Sequence, residues 1–125
     1  MIFTKTINGT EVPMKATLRT AYDLQKMYNR PYQKLFQDMG TMPIEDQIGI
    51  LYAAYKLGCG TEKPELTKAQ FLDYYLDNEN ESLDTLMSDL ENLVEGITGK
   101  KLEEFADPLE SKPGESSLKL VPSAD

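Results

Sequence analysis

Apolar and polar positions alternate over the first fifteen residues and then fall into steps of three and four. Ile2-Phe3-Thr4-Lys5-Thr6-Ile7 and Thr10-Glu11-Val12-Pro13-Met14-Lys15 flank Asn8-Gly9, a pair whose tolerance of positive φ makes it a strong two-residue turn signal. That turn predicts a hairpin pairing Ile7 with Thr10, Lys5 with Val12 and Phe3 with Met14. Phe3, Ile7, Val12 and Met14 then share one face, which needs a helical layer to cover it. Pro13 falls opposite Thr4, where the amides point away from the partner strand. Its missing N–H is harmless there if no third strand adds on that side.

After Thr17 the period becomes helical. Leu18, Ala21, Tyr22 and Tyr28 begin one stripe, which Pro31 ends near Tyr28. Pro31 opens a short second helix with Tyr32, Leu35, Phe36 and Met39 inward and Gly40 as its stop. Pro43 starts a third, with Glu45 and Asp46 in its first turn and a stripe of Ile44, Ile48, Leu51, Tyr52 and Tyr55. Gly58 closes it. Thr67 and Gln70 make a capping box ahead of Phe71, Leu72, Tyr75 and Leu76. Leu83, Leu86, Leu90, Leu93 and Ile97 form the last stripe, which stops at Gly96 or Gly99.

The expected fold is therefore α+β, mainly α: a short N-terminal β-hairpin on a bundle of about five helices. Residues 1–100 read as the folded body. Residues 101–125 read as a disordered, flexible acidic tail, because they carry three of the seven prolines, none of the seven tyrosines, and no core-forming pattern.

Charge and composition narrow the function. The chain of 125 residues has 13 bases against 21 acids, a net charge of −8, which argues against nucleic-acid phosphates as partners. No apolar run approaches the roughly 18 residues of a membrane span, and the opening residues do not read as a signal peptide. Residues 1–34 hold six bases against two acids, while residues 69–99 hold eight acids and no base. Such asymmetry is neutralised within one domain or draws copies together in self-association.

No histidine is present, which removes imidazole triads and imidazole metal sites. The single cysteine, Cys59 between two glycines, offers neither a disulfide nor a cysteine zinc site and fits a reducing compartment. No metal and no cofactor is expected. Glu81-Ser82-Leu83-Asp84 resembles the phosphopantetheine-bearing motif of acyl carrier proteins, although an N-terminal hairpin is foreign to carriers. Ser82 is otherwise an ordinary helix N-cap. Asp77-Asn78-Glu79-Asn80-Glu81 has the acid spacing of a calcium loop without its turn glycine or closing glutamate. The seven tyrosines and six methionines suit an adaptable contact surface or the edge of a core.

The third helix stands out, since Ile50, Ala53, Ala54 and Leu57 add a second apolar side to it. It is either central to the body or shared with a partner. The shared alternative makes Ile48, Leu51, Tyr52 and Tyr55 the candidate client-binding residues.

Ile7-Asn8-Gly9-Thr10-Glu11 followed by Lys15-Ala16-Thr17-Leu18-Arg19-Thr20-Ala21-Tyr22-Asp23-Leu24 resembles the opening of tail assembly chaperones from long-tailed bacteriophages. Glu45-Asp46-Gln47-Ile48-Gly49-Ile50-Leu51-Tyr52-Ala53-Ala54 is similar to the segment that follows in phages of Gram-positive bacteria. The resemblance covers about residues 2–97. It implies a non-enzymatic protein of the host bacterial cytoplasm that binds the tape measure protein, assists tail tube assembly and is absent from the mature virion. It also implies a frameshift-extended form that recruits the tail tube protein. An acyl-carrier-like protein modified at Ser82 and an acidic host-factor inhibitor are the alternatives.

Overall fold

Gly9 takes φ +80°, a left-handed conformation that suits the two-residue turn. The strands it joins, β1 (Ile2–Ile7) and β2 (Thr10–Lys15), pair antiparallel in the expected register, Ile7 opposite Thr10, Lys5 opposite Val12 and Phe3 opposite Met14. The computed structural model describes residues 1–7 and 9–101, so Asn8 and, apart from Lys101, the expected flexible tail lie outside the described residues. Pro13 sits opposite Thr4, and among the described residues the sheet has two strands, so its missing N–H is asked for by no third strand there. Ile7, Val12 and Met14 are fully buried and Phe3 half-buried, as the alternation requires. Lys5 lies on the same side.

Among the described residues five helices follow, α1 (Leu18–Tyr28), α2 (Tyr32–Asp38), α3 (Ile44–Gly58), α4 (Lys68–Asp77) and α5 (Leu83–Thr98), with a 3-10 turn at Met39–Thr41, and α3 packs on β2. The architecture is α+β and mainly α. α1 ends at Asn29, whose φ of +52° turns the chain out of the helix. Its buried residues are Thr20, Ala21 and Leu24. Leu18, 80% exposed, and Tyr22, 51% exposed, face water instead of belonging to the stripe. The phase is fixed by Thr20, whose hydroxyl accepts from the Thr17 N–H and donates to the Lys15 carbonyl, which rotates residues 20, 21 and 24 inward.

Leu35, Phe36 and Met39 are buried as expected, but Gly40 lies inside the 3-10 turn and is not a helix stop. α3 is the central element, packed against β2, α1, α4 and α5. Its residues Ile48, Ile50, Leu51, Ala53, Ala54 and Tyr55 are buried, and Gln47 satisfies its amide by donating to the Met39 carbonyl at 2.8 Å. Gly58 is the last residue of α3, and packing accounts for a glycine there. A Cβ at this position would lie 2.1 Å from the Pro13 carbonyl oxygen.

The capping box of α4 is formed as expected, with the Gln70 N–H on the Thr67 hydroxyl at 3.1 Å and the Thr67 N–H on Gln70 Oε1 at 2.9 Å. Phe71 and Tyr75 point inward, while Leu76 is exposed. α5 buries Leu86, Leu90, Leu93 and Val94 and leaves Leu83 in water. Of its two expected stops, Gly99 is the one used, with φ +78° and its N–H on the Glu95 carbonyl at 2.8 Å. Gly96 stays helical, and a Cβ there would meet the Ala16 Cβ at 2.6 Å. No helix among the described residues is long and apolar enough to cross a membrane.

Candidate functional site

Of the four residues singled out on α3, Ile48, Leu51 and Tyr55 are almost completely buried. Their apolar surface is already spent on β2 and the neighbouring helices, so they offer nothing to a client while the body is folded. Tyr52 is half-buried, and it too is committed. Its hydroxyl donates to the Leu66 carbonyl at 3.0 Å, while the Tyr55 hydroxyl accepts from the Leu66 N–H at 3.1 Å. Both backbone groups of Leu66 are thereby held, fixing the loop between α3 and α4. The rings of Tyr52, Tyr55 and Phe71 pack with centroids 5.4–5.7 Å apart, with Tyr75 continuing the row from Phe71 at 5.6 Å. These tyrosines build the core edge.

Lys5 is the feature that periodicity did not bring forward. Its Nζ donates to Glu81 Oε1 at 3.1 Å and to Asp89 Oδ2, and stands 4.7 Å from the centre of the Tyr75 ring. Tyr74 donates to Glu81 Oε2 at 2.9 Å, Tyr75 to Asp89 Oδ2 at 2.8 Å, and Thr85 to Glu81 Oε1 at 2.8 Å. Burial and the bond to the Glu81 carboxylate push the Tyr74 phenol up to about 12. Burial and the charge of Asp89 push Tyr75 up as well. Burial opposes ionisation of Glu81, but the donors Thr85, Lys5 and Tyr74 outweigh it and hold its carboxyl below the usual range. An ammonium donating to two carboxylates has no lone pair to offer as nucleophile or base. The cluster ties the hairpin to α5; it is a clasp, with the donors and acceptors matched to one another.

Internal neutralisation of the charge asymmetry is thus visible at Lys5, whose two acids come from residues 69–99. Other bases of the N-terminal third pair locally, Arg19 with Asp23 at 3.2 Å and Arg30 with Asp38 at 2.9 Å.

Ser82 caps α5. Its hydroxyl accepts from the Thr85 N–H at 3.2 Å, and Thr85 Oγ1 accepts from the Ser82 N–H at 2.7 Å. Ser82→Ala is expected to lower folding stability by about 1 kcal/mol in denaturant titration, the usual worth of a lost hydroxyl cap. In the calcium-like stretch, Glu81 is taken by Lys5, and the Asn78 side-chain oxygen accepts from the Asn80 N–H at 2.8 Å. No group of three or more acidic, cysteine or histidine residues among those described is arranged to hold a metal ion.

Among the described residues, two mainly apolar depressions lie one on each side of α1. The first, of about 490 Å³, runs between α1 and α3 and is lined by the apolar Met27, Ala53 and Leu57 together with Asp23, Lys26 and Lys56. Met27 is 51% exposed there. The second, of about 290 Å³, lies where α1 begins, α2 begins and α5 ends, and is lined by Leu18, Ala21, Tyr32, Ile97, Thr98 and Lys100. Neither was foreseeable from one helix's periodicity, because each is assembled from two or three elements. Comparison with family models, with curated proteins and with solved structures finds no match to this chain.

Proposed function

We propose that the protein is a bacteriophage tail assembly chaperone, acting by binding and not by catalysis, that holds an amphipathic segment of the tape measure protein in the host cytoplasm. The observation that carries this reading is the trough between α1 and α3. Its lining combines the apolar Met27, Ala53 and Leu57 with the charged Asp23, Lys26 and Lys56, the mixture of apolar and charged side chains that protein-binding patches use. The sequence resemblance over residues 2–97 supports the choice of client, and an acidic surface suits a carrier of aggregation-prone chain. On this reading part of the second apolar side of α3 reaches the client at Leu57, while the first side and Ala53 belong to the core. Recruitment of tube subunits falls to an extended form of the chain.

The test is co-expression with the tape measure protein. The chaperone should render the client soluble and co-purify with it. Met27→Asp, at an exposed position, should leave helicity and melting unchanged and weaken the complex about tenfold or more, the scale of a central anchor residue. A folded Met27→Asp protein that retains its client at full affinity would remove the trough from the binding surface. Failure of the unaltered chain to bind would remove the function itself.

A further inference from the structure

We propose that the depression beside the start of α1 is a docking site for this chain's own segment Leu102–Phe105. Three observations meet there. Leu18 projects at its edge with 80% of its surface in water, beside the half-exposed ring of Tyr32, an unusual amount of apolar surface to leave at the mouth of a cavity. The described chain leaves the body at that same rim, since Ile97, Thr98 and Lys100 line it. The direction of departure is fixed. Gly99 turns the backbone out of α5, and Thr98 Oγ1, which donates to the Val94 carbonyl at 2.8 Å, accepts from the Lys100 N–H at 3.0 Å.

Leu102 follows Lys100 by two residues, so its Cα lies within about 7 Å of that of Lys100. The sequence Leu102-Glu103-Glu104-Phe105 spaces two large apolar residues three apart, the interval at which a single helical turn presents both on one side. The intervening acids match the base that lines the depression, Lys100. Tethering makes the effective concentration of such a segment very high, so modest contact area suffices to keep it seated. A cavity of about 290 Å³ suits one or two side chains better than a whole partner helix. The segment thus completes the body's apolar surface on the side of α1 opposite the client trough, independently of what the trough binds.

The protein contains no tryptophan, so Leu18→Trp places a single reporter at the cavity's edge in the full chain. Its emission should lie to the blue of an indole in water and be independent of protein concentration. Adding Leu102→Asp with Phe105→Asp should move it to the red with far-ultraviolet circular dichroism unchanged. If that charged pair lowers helicity, Leu102→Ser with Phe105→Ser supplies the same reading. Water-like emission in the full chain, or emission unmoved by either pair, overturns the proposal. A blue shift that disappears on dilution also overturns it, because the occupant is then a second copy.

Discussion

Replacing Lys5 by methionine is expected to lower folding stability by about 3 kcal/mol at neutral pH, the scale of breaking a largely buried ion pair from one side. Methionine keeps the length and the apolar stem, so packing under the hairpin is nearly preserved. What is lost is the cation between Glu81 and Asp89. Tyr74, Tyr75 and Thr85 still donate to these carboxylates, but burial then acts on Glu81 with one donor and the cation removed.

The sign of the pH dependence follows. In the unaltered protein the Glu81 carboxyl is held below its ordinary range, so its contribution is complete above that range and is lost as pH falls through the folded value. Without Lys5 the carboxyl loses a donor and a cation that hold it low, so its folded value rises and less stability is lost on acidification. The deficit of the variant should therefore be largest near pH 7 and narrow toward pH 4, around the ordinary carboxylate range. Urea titrations of both proteins at the two pH values measure it. A deficit below about 1 kcal/mol that does not change with pH would place Lys5 among ordinary surface ion pairs.

Gly58→Ala should cost about 3 kcal/mol, near the upper end for overpacking, because the obstructing atom is backbone. The added methyl would stand 2.1 Å from the Pro13 carbonyl oxygen and 2.7 Å from its carbon. No rotamer change relieves this. β2 must move away from α3, opening the contact that buries Val12 and Met14. Gly60→Ala is the control, since its φ of +67° carries a strain of its own but no atom lies within 4 Å of the added methyl. Its loss should be the smaller. Equal losses in the two variants would mean that backbone freedom, and not close approach, explains Gly58.

The sequence disclosed elements better than surfaces. The Asn8-Gly9 signal set the strand register correctly because a two-residue turn admits only one pairing. Caps at Thr67 and Ser82 were readable because they act within four residues of chain. The inward phase of α1 was not readable. Leu18 and Tyr22 are no less apolar than the residues that turned inward, and the deciding bond, from Thr20 to Lys15 at the end of β2, is polar and leaves no mark on an apolar period. Lys5 carried a usable signal, a base whose side-chain parity matched Phe3 and Ile7 on a face that had to be covered. Which of the many acids would meet it depended on where α5 docks. On α3 the pattern left central burial and a shared face open together, and the structure places Ile48, Leu51 and Tyr55 inside. A depression built from two or three elements leaves no periodic trace in any one of them.

The clasp between the hairpin and α5 also bears on how the chain reaches its fold. Lys5 and Asp89 are 84 residues apart, so the hairpin is synthesised long before the helix that holds it. At roughly 5–20 residues per second, Lys5 waits about 4–17 s on the ribosome for Asp89, 84 residues on. A lone two-stranded hairpin is at best marginally stable in water, so the sheet cannot serve as an early scaffold. The five helices can form locally within microseconds. Closing the loop between the first element and the last is then the slow event, and the protein should fold more slowly than an all-helical bundle of its size.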